Sequence, residues 1–331
     1  MRVEVAADPF GELAPARYRV RHAVLGADFQ IESNSRELLR LVDAAFGGLK
    51  PRHAAGARHT LRLHLQDVPV GSRDSNPPLG LLAGAGLLAA ATRSSACVTL
   101  SPATRAGLVI VPRAMLEQPR ILRYELIELA ALTLATRTQG LGPLHAACVA
   151  ANGRAALLLG ASGTGKSTFC LHWILSGRQM LAEDSTFVVP RTLEARGVAA
   201  YLHLRAEALR FAPPRAAAAI RRSAVIRRRS GVEKFEFDLR ERGRASARGA
   251  LPLACVVRLS RQRARAGQLL TSMKAGELRA HLGESQAYAA RQPGWRDFLA
   301  RLARLPMVDL RRGAHPDDGV AALGRLLAGS E

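Results

Sequence analysis

One run of residues constrains this chain more than any other: Gly160-Ala161-Ser162-Gly163-Thr164-Gly165-Lys166-Ser167-Thr168. It fits G-x-x-x-x-G-K-[ST], the pattern of a loop that cradles phosphate. The glycines let the backbone turn so that several N–H groups face one anion. Lys166 adds a compact charge for the outer phosphates, and the Ser167 hydroxyl suits Mg²⁺. The helix that follows presents its positive N-terminal end to the same anion. The flanks are those such a loop needs. Ala155 to Leu159 is a short apolar run and reads as a buried strand. From Ser167 to Leu175 the apolar residues Phe169, Leu171, Trp173 and Ile174 recur at helical spacing, and Ser176-Gly177 closes the helix.

A second feature lies just downstream. Gln179 to Ala182 reads as the next strand, and it ends in Glu183-Asp184. Carboxylates at the C-terminal end of a strand beside a phosphate loop are where Mg²⁺ and the proton of a nucleophile are handled.

The series His145-Ala146-Ala147-Cys148-Val149-Ala150, Gly153, the strand, the loop and Leu181-Ala182-Glu183-Asp184 resembles the C-terminal catalytic domain of HPr kinase/phosphorylase and its relatives. The resemblance covers roughly His145 to Val189, with weaker echoes to about residue 260. It implies an α/β, phosphoenolpyruvate-carboxykinase-like P-loop fold and ATP and Mg²⁺ as cofactors. It also implies phosphoryl transfer to a hydroxyl, with serine of a protein or peptide the leading acceptor and free serine another. One acid would serve as base and the other would hold the metal, with His145 close by. This chain departs from the family at two positions and also lacks its downstream glycine-rich signature. Glu183 stands where the family usually has Asp, and Thr168 stands where HPr kinase has Glu. These differences weaken the case for HPr itself as acceptor and for the reverse reaction. The family often forms multimers, which makes a homo-oligomer an expectation.

Composition narrows the field. With 331 residues, 48% of them hydrophobic, the chain can bury one large core or two moderate ones. It holds no apolar run long enough to span a membrane, and Met1 to Val5 alternates like a strand rather than a signal peptide, so a cytoplasmic protein is expected. Four cysteines, Cys97, Cys148, Cys170 and Cys255, lie far apart and predict buried thiols rather than zinc or disulfides. His53, His59 and His64 are close in sequence, but the latter two belong to a strand pattern. The formal charge of +21 invites a nucleic-acid reading. Against it, the excess is nearly all arginine, spread along the chain with few aromatics. Only four lysines occur, Lys50, Lys166, Lys234 and Lys274, and one of them sits inside the phosphate loop. There a compact ammonium fits where a guanidinium is too wide. The same reasoning singles out Lys234.

Taken in order, residues 1–115 read as a small α+β module. Strands are expected near Met1, at Arg17–Arg21, Ala27–Ile31, His59–Val68, Cys97–Leu100 and Gly107–Val111. A helix over Ser35–Phe46 is expected to be capped by Ser33 or Asn34, and Val70–Pro78 reads as a polar loop. Residues 116–331 read as the ATP-binding catalytic domain, opened by one amphipathic helix from Arg120 to about Thr138. Beyond the acids, further strands are expected at Phe187–Val189, Val198–Leu204, Lys234–Leu239, Ala254–Leu259 and Pro306–Leu310, with helices between and after them. The arginine-dense Ile220–Arg229 reads as a solvated face or a mobile loop, or as a lid over the acceptor, and Arg205 as a guess for a basic residue near it.

The resulting expectation is an ATP-dependent serine kinase. Residues 160–168 bind nucleotide, Ser167 and Asp184 hold Mg²⁺, Glu183 is the base, and Lys166 and His145 complete the catalytic set, with the roles of the two acids exchangeable. The competing expectation is a nucleotide-binding regulatory or scaffold protein without transfer activity.

Overall fold

A computed structural model of the chain describes residues 15–48, 58–67, 80–84, 86–91, 96–228, 231–240, 247, 249–265, 267–286 and 289–329. The strand expected near Met1, the Val70–Pro78 loop, Lys50, His53 and Arg229 lie outside the described residues. The protein is mixed α/β, and its described strands form several mixed sheets. It divides into two compact units, Met1–Thr138 and Gln139–Glu331. The sequence reading opens the second domain at residue 116. The units divide instead after Thr138, because the helix that begins at Pro119 packs within the first unit, against its other long helix.

The first unit runs β1 (Tyr18–Val24), β2 (Ala27–Ser33), α1 (Arg36–Phe46), β3 (His59–Gln66), β4 (Gly80–Gly84), β5 (Leu87–Ala91), β6 (Cys97–Ser101) and β7 (Ala106–Pro112). The strands form one sheet in the order β1-β2-β3-β7-β6-β5-β4, parallel at β2-β3 and β3-β7 and antiparallel elsewhere. α1 buries Leu38, Leu39, Val42, Ala45 and Phe46 along one stripe. Its N-cap is Ser35, whose hydroxyl accepts from the Leu38 N–H. Asn34 is engaged elsewhere: its amide pairs with both the N–H and the carbonyl of Leu65, each at 2.8 Å, and so ties α1 to β3. His59 and His64 are buried in this unit. His59 stacks on Phe29 with ring centroids 4.8 Å apart and bonds the Thr138 hydroxyl, so it serves the core.

The helix expected over Arg120–Thr138 is interrupted. It begins as α2 (Pro119–Ile121), widens to a π-helical stretch over Leu122–Glu128, and continues as α3 (Leu129–Gln139). A π turn takes an extra residue, which rotates the buried stripe. Leu122, Leu126 and Ile127 are buried within it, and Ala130, Ala131, Leu134 and Ala135 after it, while Leu129 and Leu132 are only partly buried.

The second unit contains β8 (Gly142–Leu144), β9 (Ala147–Ala151), β10 (Arg154–Leu159), α4 (Lys166–Leu175), β11 (Gln179–Ala182), β12 (Thr186–Val188), β13 (Glu194–Arg196), β14 (Tyr201–Leu204), α5 (Pro214–Arg221), β15 (Ala224–Arg227), β16 (Glu233–Asp238), β17 (Leu251–Arg263), β18 (Leu270–Ser272), α6 (Ala275–Ser285), α7 (Trp295–Leu302), β19 (Met307–Arg312) and α8 (Pro316–Ala328). At its centre β10, β17 and β19 run parallel, and β9 joins β10 antiparallel through the turn Asn152-Gly153. Both turn residues have positive φ, 52° and 72°, as a two-residue hairpin turn of this twist requires. Alternate residues of the central strands feed two cores. Ala156, Leu158, Cys255 and Val257 face α4 and α8, with Trp173 fully buried among them. Ala155, Leu157, Leu159 and Val256 face α6 and α7. A smaller sheet, β14-β16-β15, packs onto the first of these cores through Leu202, Leu204 and Phe237.

The arginine-dense stretch is not a loop throughout. Arg221 ends α5, and Ala224–Arg227 is β15, antiparallel to β16. Ile226 is buried while Ala224, Val225 and Arg227 are exposed, so one apolar side chain anchors a cationic outer face. Among the described residues no helix is long and apolar enough to cross a membrane.

Candidate functional site

The residues from Gly160 to Gly165 link the end of β10 to the start of α4, and their conformation depends on glycine. Gly160, Gly163 and Gly165 have φ of 149°, 79° and 105°, values that a side chain disfavours. At Gly160 space is also short. A Cβ there would stand 2.7 Å from Thr164 Oγ1 and 3.3 Å from the Leu259 carbonyl. Gly165 is the N-cap of α4 and offers no side-chain cap, so the first-turn N–H groups of the helix lack internal acceptors. That uncapped terminus faces a cleft of about 520 Å³ lined by every residue from Ala161 to Thr168. The loop is braced from outside by arginine. Arg261 Nη2 donates to the Ser162 carbonyl at 2.8 Å, and Arg312 Nη2 lies 3.4 Å from the carbonyls of Gly163 and Thr164. Thr164 Oγ1 donates to the Ala161 carbonyl at 2.9 Å, and Lys166 Nζ donates to the Gly160 carbonyl.

Sheet register brings the acids to this loop. β11 pairs with β9, which pairs with β10, so the residues after Ala182 emerge beside the loop that follows Leu159. Glu183 Oε1 accepts from Ser167 Oγ at 2.9 Å. Its other oxygen, Oε2, lies 2.6 Å from His203 Nδ1 at the end of β14. His203 Nε2 in turn lies 3.5 Å from Glu236 Oε1 on β16. The side chains of Glu183, His203 and Glu236 are only 10%, 6% and 7% exposed, so the chain is shielded from water. Burial pushes the Glu183 carboxyl up, but the charge and hydrogen bond of His203, with help from Lys234 and Ser167, hold it below its ordinary value. Burial likewise pushes His203 down, and the charge and hydrogen bonds of Glu183 and Glu236 carry it above its ordinary value. The two form a buried ion pair.

Asp184 sits differently. Leu144 is opposite Thr186 in the β8-β12 ladder, which sets His145 beside the residues just before Thr186. His145 Nδ1 lies 3.3 Å from Asp184 Oδ1, and both side chains are about half exposed in the cleft. The His145 backbone is clamped by Gln286. Its N–H donates to Gln286 Oε1 at 2.8 Å, and its carbonyl accepts from Gln286 Nε2 at 3.2 Å.

The structure therefore brings Ala161–Thr168, His145, Glu183 and Asp184 into one cleft, with Gly160 at its hinge. Lys234 and Arg205 line the same cleft. His203, Glu236, Arg261, Arg312 and Gln286 were not singled out from the sequence. His203 carries one available signal, since it lies two residues before Arg205 on a predicted strand. The arginine braces and Gln286 lie between 99 and 149 residues downstream of the groups they hold and carry none.

A second cluster lies at the edge of the cleft, where His172 of α4 meets His315 and Asp317 at the start of α8. His172 Nδ1 is 2.7 Å from Asp317 Oδ1, and His315 Nδ1 is 3.2 Å from Asp317 Oδ2. A metal on His172 Nδ1 would force the ring proton onto Nε2, which is buried without a partner. With the proton on Nδ1, His172 donates to Asp317 and no buried donor is stranded. The cluster thus reads as a hydrogen-bonded cap that joins α4 to α8.

No family model matches the sequence, and no curated protein matches it.

Proposed function

We propose that the second unit is an ATP- and Mg²⁺-dependent kinase with a phosphoenolpyruvate-carboxykinase-like P-loop fold, transferring the γ-phosphoryl group to a hydroxyl, with serine as the leading acceptor. One observation carries the reading. The Ser167 hydroxyl, first residue after the loop lysine, is hydrogen-bonded to an acid that follows the next strand. Phosphate-binding and acidic groups so joined are what phosphoryl transfer asks for.

The residues fit the ligands. Uncapped N–H groups at α4 and the Lys166 ammonium suit the β- and γ-phosphates, and among the described residues the ammonium's hydrogen-bond partner is a backbone carbonyl, which it can exchange for them. Ser167, Glu183 and Asp184 offer oxygen donors on one side of the loop, as Mg²⁺ prefers. The bound ion would neutralise charge gathering on the transferred group. Geometry favours exchanging the roles first assigned to the two acids. Both Glu183 oxygens are engaged, by Ser167 and by His203, so Glu183 positions Ser167 and the metal side. Asp184 is open to the cleft and backed by His145, so it is the group placed to accept the acceptor's proton. Little covalent work is asked of the protein, and alignment supplies most of the acceleration.

The test is single-turnover transfer from γ-labelled ATP to serine-containing peptides and to free serine. Label in an acceptor, lost on the order of 10²-fold or more in Asp184→Asn with nucleotide binding retained, supports the reading. Tight nucleotide binding with no labelled product in any acceptor favours the scaffold alternative.

A further inference from the structure

The cleft holds more positive charge than a nucleotide needs. Beside the His203–Glu183 ion pair, seven lysine and arginine side chains line it against two further carboxylates, a surplus of five. A magnesium-bound triphosphate offsets only about half of that. Arginine is common in this chain, and some arginines outside the cleft meet acids, as Arg21 meets Asp28, Arg113 meets Asp67 and Arg258 meets Asp309. Lys234, Arg205, Arg210, Arg263 and Arg311 face the cleft and form no ion pair with an acid among the described residues.

Two of these cations, Lys234 and Arg205, stand on the side of the acids, where an acceptor would enter. Lys234 is the second residue of β16, two residues before Glu236, and is half-buried. Arg205 follows β14, two residues after His203. The β14-β16 ladder sets Leu204 opposite Phe235, so Arg205 and Lys234 leave neighbouring strands at the same end, beside the acid pair. Burial, followed by the nearby charges of Arg228 and Arg205, holds the Lys234 ammonium below its ordinary value, although Glu183 and Asp184 draw it up. Like charges kept together in a partly dry cleft mark a place for an anion.

We infer that Lys234 and Arg205 form an anion subsite beside Asp184, and that the phosphoryl acceptor is a hydroxyl compound bearing its own carboxylate or phosphate. This rests on the kinase reading and narrows its substrate class. A cationic or neutral acceptor would make no use of the two charges, whereas an anionic group at Lys234 holds the hydroxyl next to Asp184. The subsite also separates the two halves of the cleft: Lys166 serves the nucleotide and Lys234 the acceptor.

The experiment uses the full chain loaded with a non-hydrolysable ATP analogue and Mg²⁺, so that the phosphate loop is filled and no turnover is needed. Analogue binding is measured first and separately; its failure refutes the nucleotide reading itself. Glycerate, glycerol 3-phosphate and glycerol are then titrated into the loaded protein by calorimetry. Saturable binding of glycerate or glycerol 3-phosphate, with none of glycerol, is expected, and the tighter of the two identifies carboxylate or phosphate as the anion. Lys234→Met should weaken that binding about tenfold or more while leaving analogue affinity within about twofold. Arg205→Gln, at an exposed position, provides a second variant with the same expectation. Equal binding of glycerol, no binding of either anion to the loaded protein, or anion binding unchanged in both folded variants overturns the inference.

Discussion

The buried pair of Glu183 and His203 makes a prediction that depends on structure alone. Replacing His203 with Gln removes the imidazolium and leaves the Glu183 carboxylate, 10% exposed, with the Ser167 hydroxyl as its remaining hydrogen-bond donor of the two. Stranding one charge of a buried pair costs about 3–5 kcal/mol, and the Gln amide restores part of it by donating one hydrogen bond. We expect a loss of about 3 kcal/mol, or a fall in Tm of about 6–12 °C for a unit of this size. Glu183→Gln alone strands His203 instead, which can shed its proton, so that variant should lose less. The double variant should be no less stable than His203→Gln alone, giving a coupling of about 2–3 kcal/mol. The sign with pH follows from both shifts. Glu183 lies below its ordinary value of 4.5, so its share is present above that pH and is lost as pH falls through the lower folded value. His203 lies above its ordinary value of 6.5, so its share is full below that pH and is lost as pH rises through the raised folded value. The coupling is therefore largest between those two values and declines on either side. Thermal and urea unfolding of the four proteins across pH supply the cycle. Additive effects within about 0.5 kcal/mol at pH 5.5 would refute the ion pair.

Three further outcomes are expected. Gly160→Ala puts a methyl against Thr164 Oγ1 at a backbone angle that alanine disfavours, so nucleotide affinity should fall about tenfold or more, while Tm moves by only a few degrees; calorimetry and circular dichroism read the two. Burial pushes the thiols of Cys148, Cys170 and Cys255 far up, the last to about 12, so a thiol reagent should label Cys97 first in the native protein and the other three only on unfolding, as mass spectrometry can follow. Trp173 Nε1 donates to the carbonyls of Ala150 and Gln179, so Trp173→Phe should cost about 1–3 kcal/mol in urea unfolding by leaving both without that donor.

How much was legible in the sequence follows from the physics of each element. The strand, loop and helix around Gly160–Leu175 were readable because phosphate binding fixes residue type and spacing together. The ladders of the central sheet were readable as short apolar runs, and β11 falls where the pattern of Gln179–Ala182 puts it. The cap of α1 was misplaced by one or two residues because Asn34, a good cap by type, is drawn to Leu65 by a long-range pairing. The π-helical turn at Leu122–Glu128 left no trace, since periodicity reads a residue's type and not the width of its turn. The arginine stretch is the solvated face that its charge density suggests, but that density masks the single apolar anchor, Ile226, that makes β15 a strand. At the site, local signals gave the loop and the acids. His203 and Glu236, which decide what Glu183 can do, arrive through a separate small sheet and were visible only once folded.

Nucleotide binding at the loop is what the kinase chemistry requires first. Isothermal calorimetry with ATP and Mg²⁺ should show one saturable site, weakened about tenfold or more in Lys166→Met with Tm nearly unchanged. No saturable heat in the wild-type protein, or equal affinity in the variant, would contradict it.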